Sequence, residues 1–184
     1  SYLTGIVAQF FYVGAQIGVW SFTIRYVMQE LQLNEQEASN YYLASLILFM
    51  CSRFICTWLM KFIRPGVLLI SLSLLAVLAT ICVIYLGGII GVYALVLISG
   101  CMSLMYPTIY GLAISGVGSD TKIASSGLVM AILGGAVLTP LQGLVSDEFN
   151  SINFAFFVPF ISFVVILVYA INVSKKPKIS VPLN

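Results

Sequence analysis

Histidine is absent from these 184 residues, and Asp, Glu, Lys and Arg together make up only 8%. A soluble globular domain carries roughly 25% charged residues, so this chain is not one. The few charges are also unevenly placed. Residues 1–24, 66–86, 123–146 and 149–174 contain none. Each stretch can cross a hydrocarbon core of about 30 Å at about 1.5 Å per residue. No Asp, Glu or His stands in the middle of any span. That removes the usual acid pair, metal cluster and intramembrane proton relay, and the chain does not read as an enzyme. No nucleic-acid partner is expected. The four cysteines, Cys51, Cys56, Cys82 and Cys101, have no metal-type spacing and read as small buried apolar side chains. There is no initial methionine and no basic n-region, so Tyr2–Met28 reads as a span and not as a signal peptide. The chain is expected to be an internal piece of something longer.

What remains is apolar: 61% of the residues are hydrophobic, enough for several spans. The expectation is an all-α membrane protein with six transmembrane helices, at about 2–28, 38–62, 66–86, 90–115, 121–146 and 152–173. Gly87-Gly88 and Gly91 divide the long uncharged run 65–119 into two spans. Residues 1–174 form one bundle, and 175–184 form a basic tail. The short connections favour antiparallel neighbours. Lys61, Arg64, Lys122, Lys175, Lys176 and Lys178 fall on one side, and the opposite loops hold Glu30, Glu35, Glu37, Asp147 and Glu148 with no basic residue. By the positive-inside rule the basic side, with both termini, is cytoplasmic.

Polar side chains inside the spans are the candidates for function. On a wheel of about 100° per residue, Gln9, Tyr12, Gln16, Trp20 and Thr23 share one stripe of the first helix. Ser99, Ser103, Tyr106 and Tyr110 form a second stripe on the fourth helix. Amides donate and accept at once, matching sugar hydroxyls, and aromatic faces cover the C–H side of a pyranose. The alternative is that these groups bridge neighbouring helices. Two such stripes on two helices favour a cavity, so Gln9, Tyr12, Gln16, Trp20, Ser103, Tyr106 and Tyr110 are the candidate substrate-binding residues. Pro107 frees a carbonyl in the fourth helix and predicts a bend there. Gly134-Gly135 permits close helix approach, and Thr139-Pro140 predicts a kink. Gln142 reads as a polar residue in flexible packing. Asn40 reads as a helix cap, Tyr41 and Tyr42 as interface residues, and Ser119 or Asp120 as a cap for the fifth helix. Arg53 is expected to snorkel to the cytoplasmic interface, in a structural or gating role.

Five segments in this order, "QFFYVGAQIGVWSFTIRY", "SRFICTWL", "YPTIYGLAI", "DTKIASS" and "GGAVLTPLQGLVSD", resemble the C-terminal half of transporters in the fucose, glucose and galactose permease group of the major facilitator superfamily. The resemblance implies a twelve-helix fold in two halves with a sugar between them, of which these six spans form the second. It further implies proton-coupled uptake of a monosaccharide across a bacterial inner membrane by alternating access, with the coupling protons carried mainly by an N-terminal half that this chain lacks. "SRFICTWLMKFIRP" resembles a cytoplasmic loop motif of the superfamily but lacks its acidic residue. The implied partners are the sugar, the bilayer and that N-terminal half, with no organic or metal cofactor. A facilitator or exchanger of another small polar solute, or a dimeric membrane subunit without transport, is the alternative.

Overall fold

The computed structural model describes residues 2–115 and 117–175. Lys176, Lys178 and most of the expected tail lie outside the described residues. Among those described, the elements are α1 (Tyr2–Leu31), α2 (Glu35–Leu59), α3 (Pro65–Tyr85), α4 (Gly88–Met102), α5 (Met105–Ile114), α6 (Thr121–Met130), α7 (Leu133–Phe149), α8 (Ile152–Ala155) and α9 (Phe157–Ser174). Three pairs join end to end, so six segments are long and apolar enough to cross a membrane: α1, α2, α3, α4–α5, α6–α7 and α8–α9.

Two of the joins have different causes. Pro107 lacks the N–H that would bond the Ser103 carbonyl, and the break between α4 and α5 falls at Ser103-Leu104. The bend expected from Pro107 is therefore present. The fifth span breaks elsewhere than expected. Pro140 lies within continuous α7, and the interruption is at Ala131-Ile132. There the Gly134 and Gly135 N–H groups bond three residues back, to Ala131 and Ile132. The interruption of the span thus lies just before the glycine pair, and the helical hydrogen bonding of α7 runs on through Pro140.

Two start signals also differ from expectation. Asn34 caps α2: its side chain accepts from the Glu37 N–H at 2.8 Å, and Glu37 completes a capping box. The helix therefore starts three residues before 38, and Asn40 lies inside it. Asp120 occupies the N-cap position of α6 but makes no side-chain capping bond. Gly118–Asp120 instead form a 3-10 turn, held by the Thr121 hydroxyl on the Gly118 carbonyl. The cysteines are free, but only Cys101 is fully buried and Cys51 is exposed; on α2 the latter faces away from the bundle.

Helix α1 is the centre of the bundle and packs against α2, α4, α5, α7 and α9. Its contact with α7 depends on small residues. A Cβ on Gly134 would collide with the Phe10 carbonyl, one on Gly14 with Leu138, and one on Gly18 with the Gln142 amide. The pairs 10/134, 14/138 and 18/142 advance by four on both helices, so α1 and α7 run parallel, as the first and fifth of six antiparallel spans must. Helix α3 packs on α4 and α9 behind α1. Helix α2 touches mainly α4 and α1, and only Ala38 and Ser45 of it are fully buried. At the end bearing Leu31, the Glu30 carboxylate accepts from the Gly88 N–H at 2.5 Å. This bond holds the positive-φ turn Gly87-Gly88, which only glycine adopts without strain.

A candidate sugar-binding face on α1, α4 and α5

The two predicted stripes do meet. The Tyr12 hydroxyl donates to the Met102 carbonyl at 2.9 Å, at the end of α4 where the break exposes carbonyls. Trp20 Nε1 donates to Ser99 Oγ at 3.3 Å. The Tyr12 and Tyr106 rings meet edge to face with centroids 6.0 Å apart. Tyr106 and Tyr110 stack at 6.4 Å with 12° between their planes. Phe49 of α2 completes the edge, packed against Trp20 at 5.1 Å.

Burial divides the candidates into two layers. Gln9, Tyr12 and Ser103 are enclosed within the bundle. Gln16, Trp20, Tyr106 and Tyr110 are half-buried and present part of their surface outward. The amide of Gln9 and the hydroxyl of Ser103 find no partner among the described residues. An unpaired buried polar group costs about 1–3 kcal/mol, so these groups are held at a cost that simple packing does not explain. The outer layer offers one amide, one indole and two phenol rings on the half-buried side of the two stripes.

One residue carries more than the sequence reading assigned. Gln142 is fully enclosed beside Gly18, with neither amide atom paired among the described residues. The Gly14-x-x-x-Gly18 spacing of α1 was the readable sign of that close contact. Arg53 lies one turn after Phe49, which packs on Trp20. It is exposed in this half. A separate cavity of about 280 Å³ between α1 and α9 is lined by Leu3, Val7, Val165, Val168 and Tyr169 with Thr4 and Asn172. Its apolar walls do not suit a polyol.

No family model matches the chain. Curated relatives do. The L-fucose-proton symporter of Haemophilus influenzae is 40% identical over 179 residues, covering 95% of this chain and 42% of the relative. That of Escherichia coli is 40% identical over 166 residues, covering 90% and 38%. A putative glucose/galactose transporter of Helicobacter pylori is 31% identical over 175 residues, covering 93% and 43%. A solved Escherichia coli fucose:proton symporter, a single-substitution variant, superposes with a TM-score of 0.92 at 38% identity, over 95% of this chain and 43% of that one, and a solved major facilitator superfamily transporter in the outward conformation does so with the same score and identity, over 95% and 42%. The chain is homologous to these sugar transporters. It corresponds to their C-terminal half and has the fold of one half of a major facilitator transporter. It spans about two fifths of the length of the relatives it matches. The expectations of fold and kinship drawn from the five quoted segments therefore hold.

Proposed function

We propose that this chain is the C-terminal half of a proton-coupled monosaccharide symporter, and that its sugar lies on the face formed by α1, α4 and α5. The observation that carries the reading is the half-buried set Gln16, Trp20, Tyr106 and Tyr110, backed by the enclosed Gln9, Tyr12 and Ser103. The relatives named above transport fucose, glucose or galactose, and the chemistry of this set fits a neutral ring with many hydroxyls. Gln16 bonds hydroxyls, the rings cover the apolar side, and the inner layer holds them in place. An N-terminal six-helix half covers the outward surfaces of α2 and of α6–α7, which carry exposed Phe54, Trp58, Val129 and Met130. The protein sits in the bacterial inner membrane with both termini in the cytoplasm, on the side of Lys61, Arg64, Lys122 and Lys175.

The test is uptake by the intact protein in proteoliposomes, with radiolabelled fucose, glucose and galactose, with and without an inward proton gradient. Accumulation that follows the gradient for at least one sugar supports the reading. Equilibration without accumulation points to a facilitator, and no uptake of any of the three contradicts the sugar assignment.

A further inference from the structure

The cavity between α1 and α9 takes no part in the face described above. Leu3 and Val7 of α1 and Val165 and Val168 of α9 form its walls. Tyr169 forms its floor. That residue is only 4% exposed, and a Cβ on Gly5 would come within 3.3 Å of its hydroxyl, so the ring closes the cavity towards the bundle. Leu3, Val7 and Val168 are exposed and form the rim. Helix α9 is not among the surfaces assigned above to the N-terminal half, and it carries a further exposed apolar residue, Ile161. Its one described hydroxyl-bearing residue within the apolar stretch, Ser162, bonds its own helix, as a hydroxyl on a helix in hydrocarbon must.

The groove has a polar end. Val165, Val168, Asn172 and Lys175 follow one another at steps of three and four, which is one stripe of a helix. Lys175 is the C-cap and keeps helical backbone angles. Asn172 lines the groove, and both it and Lys175 are exposed. Lys175 stands about 10 Å along the axis from Val168 at about 1.5 Å per residue. A Cβ on Gly66 would meet the Ser174 Oγ. The start of α3, with Arg64 as its N-cap, therefore adjoins the same end. Glu30, Glu35, Glu37, Asp147 and Glu148 are all at the opposite end of the spans; Asp120 alone is on this side, in the turn before α6.

We infer that this groove binds one anionic phospholipid, with an acyl chain along Val7, Val165 and Val168 and its phosphate at Asn172 and Lys175. Apolar walls ending in an amide and a cation match an amphiphile with a negative head, and basic pockets between spans recognise such head groups. A zwitterionic lipid has the same chains and phosphate but brings its own ammonium, so Lys175 favours the head with net negative charge. That lipid meets α9 rests on the two-half reading above; the groove and its basic end do not.

The experiment is native mass spectrometry of the intact protein, released from detergent holding equal amounts of phosphatidylglycerol and phosphatidylethanolamine with the same acyl chains. It needs no sugar, so it can fail while uptake succeeds, or the reverse. The wild type should retain one lipid, with phosphatidylglycerol preferred. Lys175→Gln should lower that preference about five-fold, the effect of one lysine beside an anionic head. Val168→Trp fills the groove and should lose both lipids; if it does not fold, Val7→Phe is read in its place. Glycerol 3-phosphate, a head without chains, should not displace the lipid. No retained lipid, equal retention of the two, displacement by glycerol 3-phosphate, or a preference unchanged in Lys175→Gln overturns the assignment.

Discussion

Two sets of polar side chains in this bundle are treated in opposite ways. On α3 and α9, Ser71, Ser73, Thr80 and Ser162 each turn back and donate to the carbonyl four residues earlier in their own helix. They ask nothing of a neighbour, and such bonds are the cheapest way to carry a hydroxyl through lipid. On α1, Thr23 does this as well. Tyr12 and Trp20 instead reach across to other helices, and Gln9 and Ser103 find no partner among the described residues. The difference teaches that polarity within a span is not itself a sign of function. A hydroxyl satisfied by its own helix is structural, whereas amides and hydroxyls gathered from two helices and left with spare bonds form a site.

The largest effect should come from the frame that holds the second set. Gly134→Leu forces a side chain into the Phe10 carbonyl. Overpacking of this kind costs about 1–3 kcal/mol or more, or roughly 2–12 °C for a chain of this size. Thermal melts of the purified protein should show a drop at the upper end of that range, with sugar affinity falling as the face distorts. Gln16→Ala comes next. Calorimetry should show sugar binding weakened by roughly ten-fold, equal to about 1.4 kcal/mol, with an almost unchanged melting temperature. A clear fall in stability at normal affinity would return Gln16 to the structural class. Glu30→Gln weakens the bond to the Gly88 N–H and should cost about 1 kcal/mol, seen as a drop of about 2–4 °C. Sugar affinity should not follow it, because Glu30 is away from the face. Thr80→Val should be the mildest, within about 0.5 kcal/mol, since only a bond within α3 is lost.

The spans were legible because lipid leaves a helix no alternative to burying its own backbone polar groups, so uncharged length alone marks them. Pro107 was legible for the same reason: the carbonyl it frees lies four residues back, where the break occurs. The break at Ala131-Ile132 was not. Gly134 and Gly135 serve both close packing, against Phe10 and Ile17, and the three-residue bonds at the break, and sequence shows only the first role. Asn34 was passed over because the polar run before residue 38 looked like loop, although the Asn34 to Glu37 spacing is a start signal. The meeting of the two stripes was readable from helical spacing. Their division into an enclosed and a half-buried layer was not, because burial depends on which helices flank each stripe.

The central claim is that the face of α1, α4 and α5 is open to water and to sugar, while the hydroxyls of α3 are not. Cysteine accessibility tests it directly. In the intact protein with its native cysteines replaced, Gln16→Cys and Ser73→Cys are exposed to a polar, membrane-impermeant thiol reagent, with and without the transported sugar. The account predicts that the thiol at position 16 reacts and is protected by sugar, and that the thiol at position 73 does not react. A position 16 that stays unlabelled, or that labels equally with saturating sugar, would contradict it.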